Sequence, residues 1–187
     1  MPQMTKKAII ECTFELAEKK PLNKITVRNI VDRCGITRNT FYYYFHDIYE
    51  VISVGISEIL TQIKNNGSQG GDRVLLEIIG FCIEHKKLWK NIYRSLGHDE
   101  TARYVIGHLH TILKDYILSE ADGIEISEMD MNLILTFYEE ALFGSMVRWL
   151  HNDKENLTPE ELKLSLERMH ILLDGNIQLI IKNSQKK

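Results

Sequence analysis

Thr37, Arg38, Asn39, Thr40, Tyr42, Tyr43 and His46 crowd into one short segment of the chain. They carry guanidinium, carboxamide, hydroxyl, phenol and imidazole groups. These are the donors and acceptors that read base edges and hold phosphates of a DNA duplex. Arginine suits guanine, asparagine suits adenine, and a threonine methyl can meet the methyl of thymine. Phe41, Tyr44 and Phe45 are spaced to supply a buried side for the same helix. A short helix gains little stability from so many long polar side chains, so their crowding makes sense if they face a groove.

Other chemistries lack their residues. There is no nucleophile–base pair, paired carboxylates or phosphate-cradling glycine loop, so the chain reads as no enzyme and needs no cofactor. Seven histidines are present, yet His108 and His110 point to different sides of a helix, and no metal site is expected. Cys12, Cys34 and Cys82 lie far apart with no CxxC pair. Neither zinc nor a disulfide framework is expected of them. They read as small buried residues in a reducing cytoplasm.

The elements that must position the polar segment follow from spacing and caps. Residues 4–20 repeat apolar side chains at helical spacing and end before Pro21. Thr26 caps a helix over 27–34, which Gly35 closes in the left-handed region. Thr37 caps the next helix, which runs to Tyr44 or Phe45, and Asp47 caps a long one over 48–64. NNGSQGG at 65–71 is the clearest loop. Helices are expected over 72–85, 87–96 and 101–120, then a loop at 121–127 and a helix over 127–151. Thr158, Pro159 and Glu161 open a last helix that reaches about Lys182. The total is about nine helices in an all-α chain with no convincing strand.

With 187 residues, 44% of them hydrophobic and 26% charged, the chain is a globular one of one or two domains. No segment reads as a signal peptide or a membrane span. The net charge is −3, but it is uneven. Residues 1–48 hold eight Lys/Arg against five Asp/Glu, and residues 49–187 hold fifteen against twenty-one. A basic head on an acidic body steers DNA to one end.

The run ITVRNIVDRCGITRNTFYYYF, with IIECTFELAEKK before it, resembles the DNA-binding domain of TetR-family regulators. The likeness covers residues 7–52. Phe45-His46-Asp47-Ile48-Tyr49 and Gly144…Trp149 further resemble the branch named for dihydroxyacetone-kinase regulators. The resemblance implies a helix-turn-helix domain over 1–50 and a helical sensor and dimerisation domain over 51–187. It implies a transcriptional regulator, a repressor released from a palindromic operator by a small molecule. The alternative is a TetR-like regulator or co-activator controlled by a protein partner.

Matched positions give Tyr42 and His46 to phosphates, with Thr26, Arg28 and Thr37 beside them. Arg38, Asn39, Thr40 and Tyr43 are left for base edges. The resemblance also implies a homodimer through the last two helices, about 127–151 and 159–182. Their stripes are Met131, Ile134, Leu135, Tyr138, Leu142, Met146, Trp149 and Leu162, Leu166, Met169, Leu172, Leu173, Ile177, Ile180. The middle helices would sense an effector through Phe81, His85, Trp89, Tyr93, Tyr104, His108, Tyr116 and Tyr138. Two departures stand out. Pro21 replaces the family's usual glycine, and Ile48 stands where a phosphate-touching lysine is common.

Overall fold

The computed structural model describes residues 2–66, 71–151, 161, 164, 168 and 175–185. Among them it holds eight α-helices, one 3-10 turn and no strand. The chain divides into two compact units. One holds the first four helices and Ile78–Tyr104, and the other holds Gly67–Glu77 and Val105–Lys187.

In the first unit, α1 spans Pro2–Ala17 and buries Ile9, Ile10, Thr13 and Ala17. It stops three residues short of the Lys20 end that spacing predicts. Lys20 precedes Pro21, whose ring drives the preceding residue out of the helical region. Pro21 instead starts a 3-10 turn, Leu22–Lys24, that inserts Leu22 into the core. Thr26 caps α2 (Val27–Cys34) through a reciprocal pair. The Asn29 N–H donates to Thr26 Oγ1 at 3.2 Å, and the Thr26 N–H donates to Asn29 Oδ1 at 3.1 Å. Gly35, at φ 67°, ends α2 in the region that only glycine enters at no steric cost.

The helix α3 (Arg38–Tyr44) opens on Thr37, whose Oγ1 accepts from the Thr40 N–H. Then α4 (Ile48–Asn66) buries Val51, Ile52 and Ile56. Gly55 lets α4 press on α1. A Cβ there would stand 2.7 Å from Ile10 Cγ2 and from Phe14 Cζ, so any side chain would push the two helices apart.

Next come α5 (Gly71–Glu84) and α6 (Lys86–Glu120). The two expected helices over 87–96 and 101–120 form one run, broken inside at Gly97 with φ 76°. The second unit packs the end of α6, α7 (Glu128–His151) and α8 (Asn176–Ser184) around Leu113, Ile117, Met131, Ile134, Leu135, Ile177 and Ile181. Ser127 caps α7 by accepting from the Asp130 N–H at 3.1 Å.

Two expectations about the last helices change. The run over 159–182 is not one helix, because left-handed Gly175 stands immediately before α8. Met131, Ile134 and Leu135, read as a dimer stripe, are buried in their own unit's core, where Tyr138, Leu142 and Ile180 pack at its edge. Thr158, Pro159, Leu162, Leu166, Met169, Leu172 and Leu173 lie outside the described residues. No described helix is long and apolar enough to cross a membrane.

Candidate nucleic-acid interface

The polar segment lies on α3, and its two sides differ sharply. Phe41 and Phe45 are 0% and 2% exposed, with ring centroids 6.2 Å apart, and they fasten the helix to the core. Tyr42 and Tyr43 are 56% and 80% exposed, and Arg38, Asn39 and His46 are exposed as well. The apolar side fixes the helix while the polar side is left to solvent.

Arg38 has no ion pair or hydrogen bond among the described residues, so its guanidinium keeps its donors. Tyr43 stacks edge-on against Tyr44 at 4.9 Å, and Tyr42 against Phe41 at 5.4 Å. These contacts fix the rings, and phenol groups on fixed rings lose little entropy when they bind. Thr37 and Thr40 are half spent locally. Their hydroxyls lie 2.9 Å apart, and Thr37 also caps the helix. Thr26 serves as a cap in the same way. Arg28 sits one turn before Asp32 at 3.5 Å, with both side chains largely exposed.

The start of α4 answers the Ile48 departure. Asp47 Oδ1 accepts from the Glu50 N–H at 2.8 Å, and Glu50 Oε2 accepts from the His46 N–H. Two carboxylates therefore occupy the helix N-terminus and compete with a phosphate there. His46 lies 3.6 Å from Asp47. Spacing alone did not bring out Tyr49, 43% exposed on the first turn of α4. The only sign of it was its place in the run FHDIYEV.

The other expected site residues fall in both units. Phe81, His85, Trp89, Tyr93 and Tyr104 belong to the first, and His108 and Tyr138 to the second. Phe81 and His85 rings meet at 4.5 Å, and His85 Nδ1 lies 2.6 Å from Glu18 Oε1. Trp89 is 4% exposed, and its indole N–H is buried with no hydrogen-bond partner among the described residues. The Tyr104 hydroxyl donates to the Ile52 carbonyl at 3.3 Å, and burial pushes the phenol up to about 12. Burial also raises Tyr138 and lowers His108 from their ordinary values. No group of three or more metal-ligating side chains occurs among the described residues.

Residues 9–53 match the family model described as bacterial regulatory proteins, tetR family. Residues 72–171, just over half of the chain, match one described as transcriptional regulator C-terminal region. The chain belongs to the TetR family of transcriptional regulators. Members of that family are DNA-binding helix-turn-helix proteins, and α2, the Gly35 turn and α3 form the helix-turn-helix here.

No curated protein matches the chain. Solved TetR-like structures share its fold. The dihydroxyacetone kinase operon activator DhaS is 18% identical with a TM-score of 0.73, covering 94% of this chain and 97% of that one. A tetR-family transcriptional regulator from Streptomyces coelicolor is 17% identical with a TM-score of 0.62, covering 97% and 88%. A TetR regulator from Streptococcus agalactiae 2603V is 19% identical with a TM-score of 0.58, covering 90% and 94%. At these identities the likeness is one of fold.

Proposed function

We propose that this TetR-family regulator reads a palindromic operator with α3 in the major groove, as a homodimer, and represses until a small molecule releases it. One observation carries the reading. The polar side of α3 is open to solvent, with a free guanidinium, while its aromatic side is fully buried. Arg38, Asn39, Thr40 and Tyr43 take base edges, and Tyr42, His46, Thr26, Arg28 and Thr37 take phosphates. Residues 1–50 are the reading head and 51–187 the sensor and dimerisation part. The protein acts in the cytoplasm, where its operator lies.

A different face of α7 from the one its spacing suggested supports the homodimer. Met129, Leu133 and Phe137 are 73%, 61% and 67% exposed, one turn apart in succession. Gly144 is on the same face, and a Cβ there would meet nothing within 4 Å. A second copy laid along this face covers the apolar side chains and approaches closely at the glycine. The effector is read by the column Phe81, His85, Trp89 and Tyr93, where an unspent indole N–H can meet an acceptor.

One observation favours a second reading, activation in place of repression: a protein named as an operon activator, DhaS, has this fold. Capture of genomic fragments by the purified protein, followed by footprinting, tests the first reading. It expects symmetric footprints with half-sites about 34–36 Å, or a multiple of that, apart. Absence of any enriched fragment overturns it.

A further inference from the structure

Two of the three cysteines, 22 positions apart in the sequence, lie where α1 packs on α2. Cys34, the last residue of α2, directs its Sγ to the Ala8 carbonyl of α1 at 3.6 Å. Within a helix that carbonyl is the acceptor for the N–H four residues on, which is Cys12. The Cys34 thiol therefore rests on the turn of α1 that carries Cys12. Both are half-buried, so neither is sealed from solvent. The same junction is held by the Arg33 guanidinium on the Glu15 carboxylate. Gly35 follows at once, and its left-handed turn sets the direction of α3.

We propose that Cys12 and Cys34 are an oxidisable dithiol whose disulfide, formed by peroxide, staples α1 to α2 and weakens operator binding. The chemistry needs only hydrogen peroxide. The Cys12 thiol takes one peroxide oxygen and becomes a sulfenic acid, releasing one water. The Cys34 sulfur then attacks the Cys12 sulfur, the S–S bond forms, and the hydroxyl leaves with the Cys34 proton as a second water. Two thiol sulfurs are oxidised and one peroxide is reduced.

Burial, with Cys12 beside it, pushes the Cys34 thiol up to about 12. Its thiolate is scarce at neutral pH, which assigns Cys34 the second, resolving step. Cys82 is pushed up to about 12 by burial alone and serves as an internal control. In a reducing compartment the resting state is the dithiol.

The functional consequence comes from distance. A disulfide needs its sulfurs about 2.05 Å apart, far closer than two unbonded thiols stand. Forming it draws the end of α2 toward α1 and shifts the Gly35 turn on which α3 depends. The effect on DNA rests on α3 as the reading helix, but the bond itself does not.

The test treats the full chain with hydrogen peroxide, alkylates free thiols and digests it with trypsin without reduction. The expected product is residues 8–19 joined to residues 34–38, lost on reduction and absent from Cys12→Ser and Cys34→Ser. Cys82 should be found alkylated. Oxidation should lower affinity for a captured operator roughly tenfold, reversibly, and not in Cys34→Ser. Separate alkylated peptides, a link through Cys82, or the expected link with unchanged affinity overturns the proposal. If the reduced protein selects no DNA at all, the reading of α3 fails, while the peptide link is judged independently.

Discussion

The Asn91 carboxamide donates to the backbone carbonyl of Ala17 at 2.7 Å, and both residues are buried. Ala17 is the last residue of α1. A carbonyl at a helix end has no partner within the helix, and leaving it dry and unpaired is costly. Asn91 supplies the bond from far along the chain and ties the end of α1 to α6. Nearby, His85 approaches Glu18 at 2.6 Å.

Asn91→Leu keeps the volume of the side chain but removes the donor. It should cost about 1–3 kcal/mol of stability, read from the urea midpoint. An unchanged midpoint would show that the Ala17 carbonyl needs no such partner.

Trp89 separates shape from hydrogen bonding. Its ring is buried but its N–H is unspent. Trp89→Phe should cost clearly less than the about 3–5 kcal/mol expected for Trp89→Ala. If the N–H meets an effector, Trp89→Phe also loses the response to it. Equal losses from both changes would mean that the N–H is satisfied in the native protein.

Phe137 is 67% exposed, so Phe137→Glu should barely change helicity. If the open face of α7 carries the homodimer, the variant should weigh half as much as the parent by light scattering at micromolar concentration. A parent that is already monomeric contradicts this use of the face, and so does a variant that stays dimeric.

His108 gives a pH dependence with a definite sign. Burial lowers its pKa below the usual 6.5. The unfolded chain therefore binds a proton at a higher pH than the folded one. Its contribution is fully present above 6.5 and is lost as pH falls toward the lowered value. Melting temperatures between pH 8 and 5 should fall less steeply in His108→Gln than in the parent, by roughly the contribution of one proton. Identical slopes would remove His108 from the account.

Local signals were legible in the sequence. Thr26, Thr37, Asp47 and Gly35 act within a few residues of themselves, and their caps and turn lie where residue type puts them. The polar and buried sides of α3 were legible for the same reason. The face of α7 was not. Met131, Ile134 and Leu135 are as apolar as Met129, Leu133 and Phe137, and a helix apolar on several sides does not say which side its own unit covers. Gly175 was hidden because Ile177 and Ile180 continue the apolar spacing across it. The Asn91–Ala17 and Cys34–Ala8 bonds join distant segments, so no local pattern announces them.

The most direct test measures affinity for a captured genomic operator with the parent, Arg38→Ala and Tyr42→Phe. If Arg38 reads a base, Arg38→Ala should lose about 1–3 kcal/mol and relax specificity at one position. If Tyr42 holds a phosphate, Tyr42→Phe should weaken all sequences alike. Melting temperatures should hardly move, since both side chains are exposed. If both variants bind the operator as tightly and selectively as the parent, α3 is not the reading helix and the account fails.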